Sequence, residues 1–235
     1  MGKPDIIYED NDIIVCYKPA GIATQTRRIG QQDMESFIRN YRAAKNEPPY
    51  VGIVHRLDQP VEGVMVFAKN QKAAASLSRQ IKEHTTEKYY RAASRGHGVS
   101  GADKKEDNHD PAWHTLTDYI SFDKRTNTSK ITSEKDRQAK KAVLQYRILS
   151  NEYNKTEFDI KLLTGRHHQI RLQLANIGYP LIGDTKYGKP ASNNSGTGSK
   201  SGRTGSSVRE QLALCSYKIV FDHPATGERM TFELP

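Results

Sequence analysis

The chain has 235 residues, 35% of them hydrophobic, and a mean hydropathy of -0.77, which is polar for a unit this size and predicts solvated excursions around a smaller core. Lys and Arg number 36 against 27 Asp and Glu, a formal charge of +9, which favours a polyanionic partner, nucleic acid before acidic membrane. Cys16 and Cys215 form neither a close pair nor a metal-ligand cluster, and no run has membrane-spanning length, so a disulfide scaffold and a helical membrane protein are excluded and a cytoplasmic setting is expected.

In chain order, Ile6–Tyr8 and Ile13–Tyr17 read as strands around the turn Glu9-Asp10-Asn11-Asp12, and Lys18-Pro19-Ala20-Gly21 closes the second with a sharp loop. Lys18 there is suited either to a phosphate or carboxylate or to plain solvation. Asp33 is placed to cap a helix over 34–44, where Phe37, Ile38 and Tyr41 recur at helical spacing. A strand over 50–54 leads into Val54-His55-Arg56-Leu57-Asp58-Gln59-Pro60. Proline disfavours helix at the preceding residue and lacks a donor, so Asp58 sits on a strand–turn boundary, either as a local cap or facing a cleft.

The apolar run 64–68 is a strand, and Asn70 caps a helix over about 71–83. Residues 87–93 form a strand whose alternation places Lys88 and Tyr90 on one face and Tyr89 and Arg91 on the other. Polar insertions are expected near 94–111, 123–141 and 189–207, with sheet-like sequence from Trp113 to Phe122 between the first two. The second insertion carries seven Lys or Arg against three acids. Residues 142–149 and 156–163 pair as a hairpin. The stretch from Thr164 to Ala175 turns into a short helix ending at Gly178, with Arg171 on an apolar face. Strands over 217–221 and 229–232 close the chain as a hairpin. The regular strand–helix alternation of a doubly wound sheet is absent, so the fold class is α+β with a largely antiparallel or mixed sheet.

Eight histidines show no HExxH, no CxxC partner set and no recognised ligand spacing, so no metal is expected; without GxGxxG or a Gly-Lys-Ser/Thr loop, no nucleotide cofactor is expected either. What remains is a carboxylate in basic and aromatic company. If Asp58, Tyr90 and Arg171 converge, Arg171 would keep Asp58 ionised and Tyr90 would stack on a planar base. The competing reading is a structural Asp–Arg pair beside a core tyrosine.

Three segments in order then resemble the RluA family of RNA pseudouridine synthases: residues 13–21 with their Lys-Pro-x-Gly loop; His55-Arg56-Leu57-Asp58 with Gly63 and Phe67-Ala68-Lys69; and Thr164-Gly165-Arg166-His167-His168-Gln169-Ile170-Arg171 followed by residues 178–188. The resemblance implies the pseudouridine synthase catalytic fold, a bent mixed sheet with flanking helices and a central cleft, as one domain of two subdomains over 1–235. It implies isomerisation of uridine in rRNA or tRNA without metal or organic cofactor. Asp58 matches the catalytic aspartate, Arg171 its paired arginine, and Tyr90 the tyrosine that stacks on the base. Lys18, His55, Arg56, Lys88, Arg166 and Gln169 are expected to bind RNA or support the cleft. The match starts almost at residue 6, so no N-terminal S4-type domain is expected, and neither is oligomerisation.

Three positions depart from the family pattern. Val61-Glu62 replaces Thr-Ser, Gln173 replaces a common His, and Cys215-Ser216 stands for His-Ala. They leave room for a catalytically weak RNA-binding relative. A ribosome-associated structural protein is a second alternative, and a carboxylate hydrolase lacks its second acid.

Overall fold

A computed structural model describes residues 4–26, 28, 30–95, 110–152, 155–188 and 210–235. Most of the expected insertion at 94–111 and all of that at 189–207 lie outside them.

The elements are β1 (Asp5–Glu9), β2 (Ile13–Lys18), α1 (Met34–Ala44), β3 (Gly52–Ile53), β4 (Glu62–Ala68), α2 (Gln71–Lys82), β5 (Glu87–Ser94), β6 (Asp110–Asp123), β7 (Thr128–Thr132), β8 (Lys140–Glu152), β9 (Lys155–Leu162), α3 (Gln169–Asn176), β10 (Leu214–Asp222) and β11 (Arg229–Glu233). They build one mixed sheet in the order β1-β2-β4-β10-β5-β9-β8-β6-β7, with β11 on β10 and β3 on β4. The pairings are antiparallel except β10 with β4, where Cys215 and Ser216 run parallel to Glu62 and Gly63. This is the α+β architecture expected.

Local chemistry sets the helix starts. Asp33 accepts from Ser36 N–H while Ser36 Oγ accepts from Asp33 N–H, a complete capping box. Asn70 caps α2 through Ala73 N–H at 2.8 Å. The run 64–68 is apolar without alternation because β4 is buried on both faces. Met65 and Phe67 join the main core with Ile14, Cys16, Phe158, Ile160, Ile38 of α1 and Leu174 of α3. Val64, Val66 and Ala68 pack instead with Ala73 and Leu77 of α2.

Two elements differ from the sequence reading. The strand expected over 50–54 shrinks to Gly52–Ile53, paired with Ala68 and Phe67 of β4; at Gly52 an added Cβ would lie 2.9 Å from the Ala74 side chain, so glycine is what fits beside α2. The charged stretch 123–141 is not merely a solvated loop. Thr128–Thr132 pairs with β6 from Tyr119↔Thr132 to Asp123↔Thr128.

Candidate active site

Asp58 lies on a loop between β3 and β4 that is clamped from both sides. Thr24 Oγ1 accepts from Leu57 N–H and donates to Leu57 C=O at 2.9 Å. Gln59 C=O accepts from Gly21 N–H at 2.8 Å, and Gln59 Nε2 donates to Gly21 C=O. Val61 N–H closes the turn on Asp58 C=O. Lys18 completes the clamp. It is fully buried, and its ammonium donates to the carbonyls of Pro19, Ile22 and Gln59. Burial pushes its pKa down to about 8, against the opposing pull of Asp58 and Glu62. The Lys18 ammonium is thus turned to these carbonyls and away from solvent, an arrangement of the cleft-supporting kind and not that of a solvated turn lysine or a free phosphate ligand.

The loop opens onto a pocket of about 310 Å³, small among ligand sites. Asp58, Tyr90, Lys88, Arg171, His55, Arg56, Arg166, His167, His168 and Gln169 all line it, among apolar neighbours such as Leu57, Val61 and Leu162. Asp58, Tyr90 and Arg171 are thus brought together from a loop, a strand and a helix. The alternation of β5 holds: Lys88 and Tyr90 face the pocket, while Tyr89 and Arg91 each lie against Tyr217.

Arg171 is arranged differently from the simple pair expected. Its Nε and Nη2 both donate to Asp184, at 2.8 Å each. Only Nη1 is turned to Asp58, 3.6 Å from Oδ2. The Asp184 side chain is wholly buried. Burial alone would raise its pKa, but the Arg171 guanidinium and the N–H groups of Lys186 and Tyr187 hold it below the usual carboxylate value. Asp58 is a third exposed, so it can meet a ligand while Asp184 cannot.

The remaining groups divide by burial. Tyr90 is nearly buried, and burial pushes its phenol pKa up despite a hydrogen bond with Ser216, so it stays protonated. A neutral ring suits stacking, not the role of a standing base. His55 Nε2 accepts from Val66 N–H at 3.1 Å, tying the loop to β4, and burial holds its pKa down at about 3. Gln169 is buried and accepts from Thr164 Oγ1 and Arg166 N–H. Both support the wall. Lys88 has its pKa lowered by burial, and no ion pair or hydrogen bond reaches its ammonium among the described residues. Arg56 is exposed at the rim, and Arg166 donates through Nε to Lys141 C=O. Glu62 turns away from the pocket. It accepts from Tyr17 and Gln211 and lines a separate hollow with Arg91 and Cys215, so it places no acid among the groups around Asp58.

Four residues of the site carried no role in the sequence reading. Asp184 is described above. His168 Nε2 lies 3.4 Å from Asp58 Oδ2. Tyr187 hydrogen-bonds His168, and Ser129 of β7 donates its N–H to Tyr187. Outside the site, Asp10, Asp12 and His223 approach one another, but Asp10 already accepts from Tyr8 and from the N–H groups of Asp12 and Ile13, so they read as a turn clamp. No helix among the described residues is long and apolar enough to cross a membrane.

The family model for RNA pseudouridylate synthase matches residues 12–176 of this geometry. The chain belongs to that family. As an RNA pseudouridine synthase it is an isomerase acting on uridine in RNA. A protein of Aquifex aeolicus described as an uncharacterized RNA pseudouridine synthase is 34% identical over 241 residues, which cover 98% of this chain and 68% of that protein. The ribosomal large subunit pseudouridine synthase D of Pseudomonas aeruginosa is 33% identical, with coverage of 98% and 68%. Among solved structures, the human RNA pseudouridylate synthase domain containing 4 has a TM-score of 0.72 at 20% identity, covering 98% of this chain and 87% of that one, a likeness of fold. The resemblance to the RluA family is upheld. The synthase match holds Asp58, Tyr90 and Arg171 but ends before Asp184, the buried partner of Arg171.

Proposed function

We propose that Asp58 is the residue on which uridine isomerisation turns, with Tyr90 beneath the base and Arg171 holding the carboxylate. Converting uridine to pseudouridine breaks the bond from N1 to C1′, turns the base and joins C5 to C1′. A proton leaves C5 and one is taken up at N1, so the reaction is redox-neutral. It needs a carboxylate that reaches the ribose and a surface that retains the freed uracil. The observation that carries this reading is the placement of Asp58: partly exposed at the pocket mouth, on a loop fixed on both sides, with Arg171 Nη1 at 3.6 Å.

The pocket admits a base, not a duplex, so the target nucleotide enters flipped out, at an unstacking cost of a few kcal/mol. Tyr90 supplies a face for stacking, Lys88 an unpaired cation at the depth of the pocket, and Arg56 a cation at its rim. For the substrate we favour ribosomal RNA, on the printed names of the large-subunit synthases this chain resembles, with tRNA the alternative. The test is to incubate the protein with transcribed rRNA and tRNA pools and map pseudouridine in both. Sites that appear with wild type and not with Asp58→Asn support the proposal. Equal modification by both proteins refutes the role of Asp58.

A further inference from the structure

Two donors converge on one oxygen of Asp58. Arg171 Nη1 is 3.6 Å and His168 Nε2 is 3.4 Å from Oδ2. No donor among the described residues hydrogen-bonds Oδ1. Both separations are longer than a good hydrogen bond, as catalytic contacts often are before substrate tightens them.

Tyr187 sits behind His168, on the side of the ring away from Asp58. Tyr187 Oη accepts the N–H of Ser129 at 2.8 Å and lies 2.9 Å from His168 Nδ1. Where the phenol gives its own proton to Nδ1, the neutral imidazole carries its proton on Nε2, facing Asp58. The ring is neutral because burial, helped by Arg171, His167 and Lys186 and opposed by Asp184, holds its pKa down at about 3. It is also immobilised. His167 lies over it at 3.7 Å between ring centroids, Tyr187 meets it edge-on at 5.6 Å, and His167 is pinned by Ser129 Oγ at 3.0 Å.

The backbone supports the same purpose. His168 is the N-cap of α3, with φ 54 and ψ 25, and its side chain makes no capping hydrogen bond. A left-handed conformation is disfavoured for any residue that carries a Cβ. Here it delivers the ring to Asp58 instead of to the helix end.

We propose that His168 is a positioning residue, whose Nε2–H, kept on that nitrogen by Tyr187, joins Arg171 Nη1 in holding Asp58 Oδ2 so that Oδ1 is the oxygen presented to the nucleotide. This rests on the catalytic reading of Asp58. Arg171 cannot set the carboxylate alone, since Asp184 takes its Nε and Nη2. A single donor leaves the group free to rotate, whereas two donors from different elements fix which oxygen is bound. Ser129 and the hairpin of β7 thereby act on Asp58 through Tyr187 and His168.

The experiment uses full-length protein and transcripts of rRNA and tRNA carrying uridine tritiated at C5, whose label is released when pseudouridine forms. Asn at 168 tolerates the left-handed backbone but is too short to reach Asp58, while Gln has the reach. His168→Asn should slow single-turnover release by about tenfold to a hundredfold with RNA affinity unchanged, the scale seen when an orienting partner is lost. His168→Gln should restore the rate to within about threefold. Nitrogen-15 spectra of histidine-labelled wild type should show His168 protonated on Nε2, and Tyr187→Phe, which orphans the Ser129 N–H and should melt lower, should mix the tautomers and slow release when assayed at a temperature where it is fully folded.

A wild-type ring protonated on Nδ1, equal losses in the Asn and Gln variants, or a loss confined to RNA affinity would each overturn the proposal. Release by Asp58→Asn at the wild-type rate removes the catalytic reading and this proposal with it. An inactive Asp58→Asn beside a fully active His168→Asn removes this proposal alone.

Discussion

Replacing Asp184 by Asn tests whether the Arg171–Asp184 pair is what holds the arginine at the pocket. Both side chains are buried, at 5% and 0% exposure, and two hydrogen bonds of 2.8 Å join them. Asn can keep the role of Oδ1, which accepts from Arg171 Nη2 and from the N–H groups of Lys186 and Tyr187. Its amide nitrogen then opposes Arg171 Nε, so one charge-assisted bond is lost, worth about 1.5–3 kcal/mol. The guanidinium also keeps its charge with only the more distant Asp58 to offset it. Breaking a buried pair by removing one partner costs about 3–5 kcal/mol, and retention of the Oδ1 contacts puts the expected loss near 3 kcal/mol. Urea denaturation at pH 7 measures it. Arg171→Met with Asp184→Asn should be more stable than Asp184→Asn alone, because no charge is then orphaned. The native pKa of Asp184 is depressed, so its contribution is complete above the unfolded value, near 3.8, and fades as pH falls through the native value. The gap between wild type and Asp184→Asn should therefore narrow in acid. A loss under about 1 kcal/mol, or a double variant no better than the single, would refute the reasoning.

Two further substitutions probe the scaffold. Lys18→Met leaves three carbonyls without their ammonium donor while relieving a buried charge; a net loss of about 2 kcal/mol is expected, with slower turnover as the Asp58 loop loosens. Because Lys18 has a native pKa near 8 against 10.5 unfolded, the unfolded chain binds more protons between those values, and wild type should gain on the Met variant as pH rises through that window. Chemical denaturation at pH 7 and pH 10 decides it, and a constant difference would contradict the burial of the charge. Gly63→Ala, at φ +136, places a methyl 2.2 Å from Ser216 O, whereas Gly227→Ala, at φ +75, meets nothing within 4 Å. Thermal melts should show a loss above about 3 kcal/mol for the first and about 1 kcal/mol for the second. Equal losses would mean that β4 and β10 are not so closely joined.

Much of the fold is legible because it is written locally. Asp33 and Asn70 announce α1 and α2 through side chains that bond three residues ahead. The alternation of residues 87–93 puts Lys88 and Tyr90 on one face before any contact is known, and that face meets the pocket. The site is less legible, because its partners are set by distant geometry. Asp184 follows Arg171 by 13 positions across a turn, a spacing with no periodic signature. His168 reads as the neighbour of His167 and reaches Asp58 only through a left-handed backbone that the sequence does not announce. Ser129 lies in a stretch whose charge suggested solvent, and it matters because β7 pairs with β6 and places its N–H on Tyr187. The Lys-Pro-x-Gly loop was visible as a motif, but its purpose as the clamp of the Asp58 loop appears only when Gly21 and Gln59 are seen to exchange hydrogen bonds. Glu62 looked anomalous in a cleft meant for RNA. Glu62 opens β4 and is held by Tyr17 and Gln211 on the side away from the pocket that Val61, the last residue of the Asp58 turn, lines.

The central claim is that Asp58 performs the chemistry and does not merely brace Arg171. Single-turnover release of tritium from C5 of uridine in transcribed rRNA and tRNA, measured beside RNA affinity, tests it most directly. Asp58→Asn keeps the size of the side chain and leaves the Arg171–Asp184 pair in place, so it should bind RNA within about threefold of wild type and lose at least about a thousandfold in rate. An Asp58→Asn protein that releases tritium within tenfold of wild type, or that loses rate only in step with its affinity for RNA, would contradict the account.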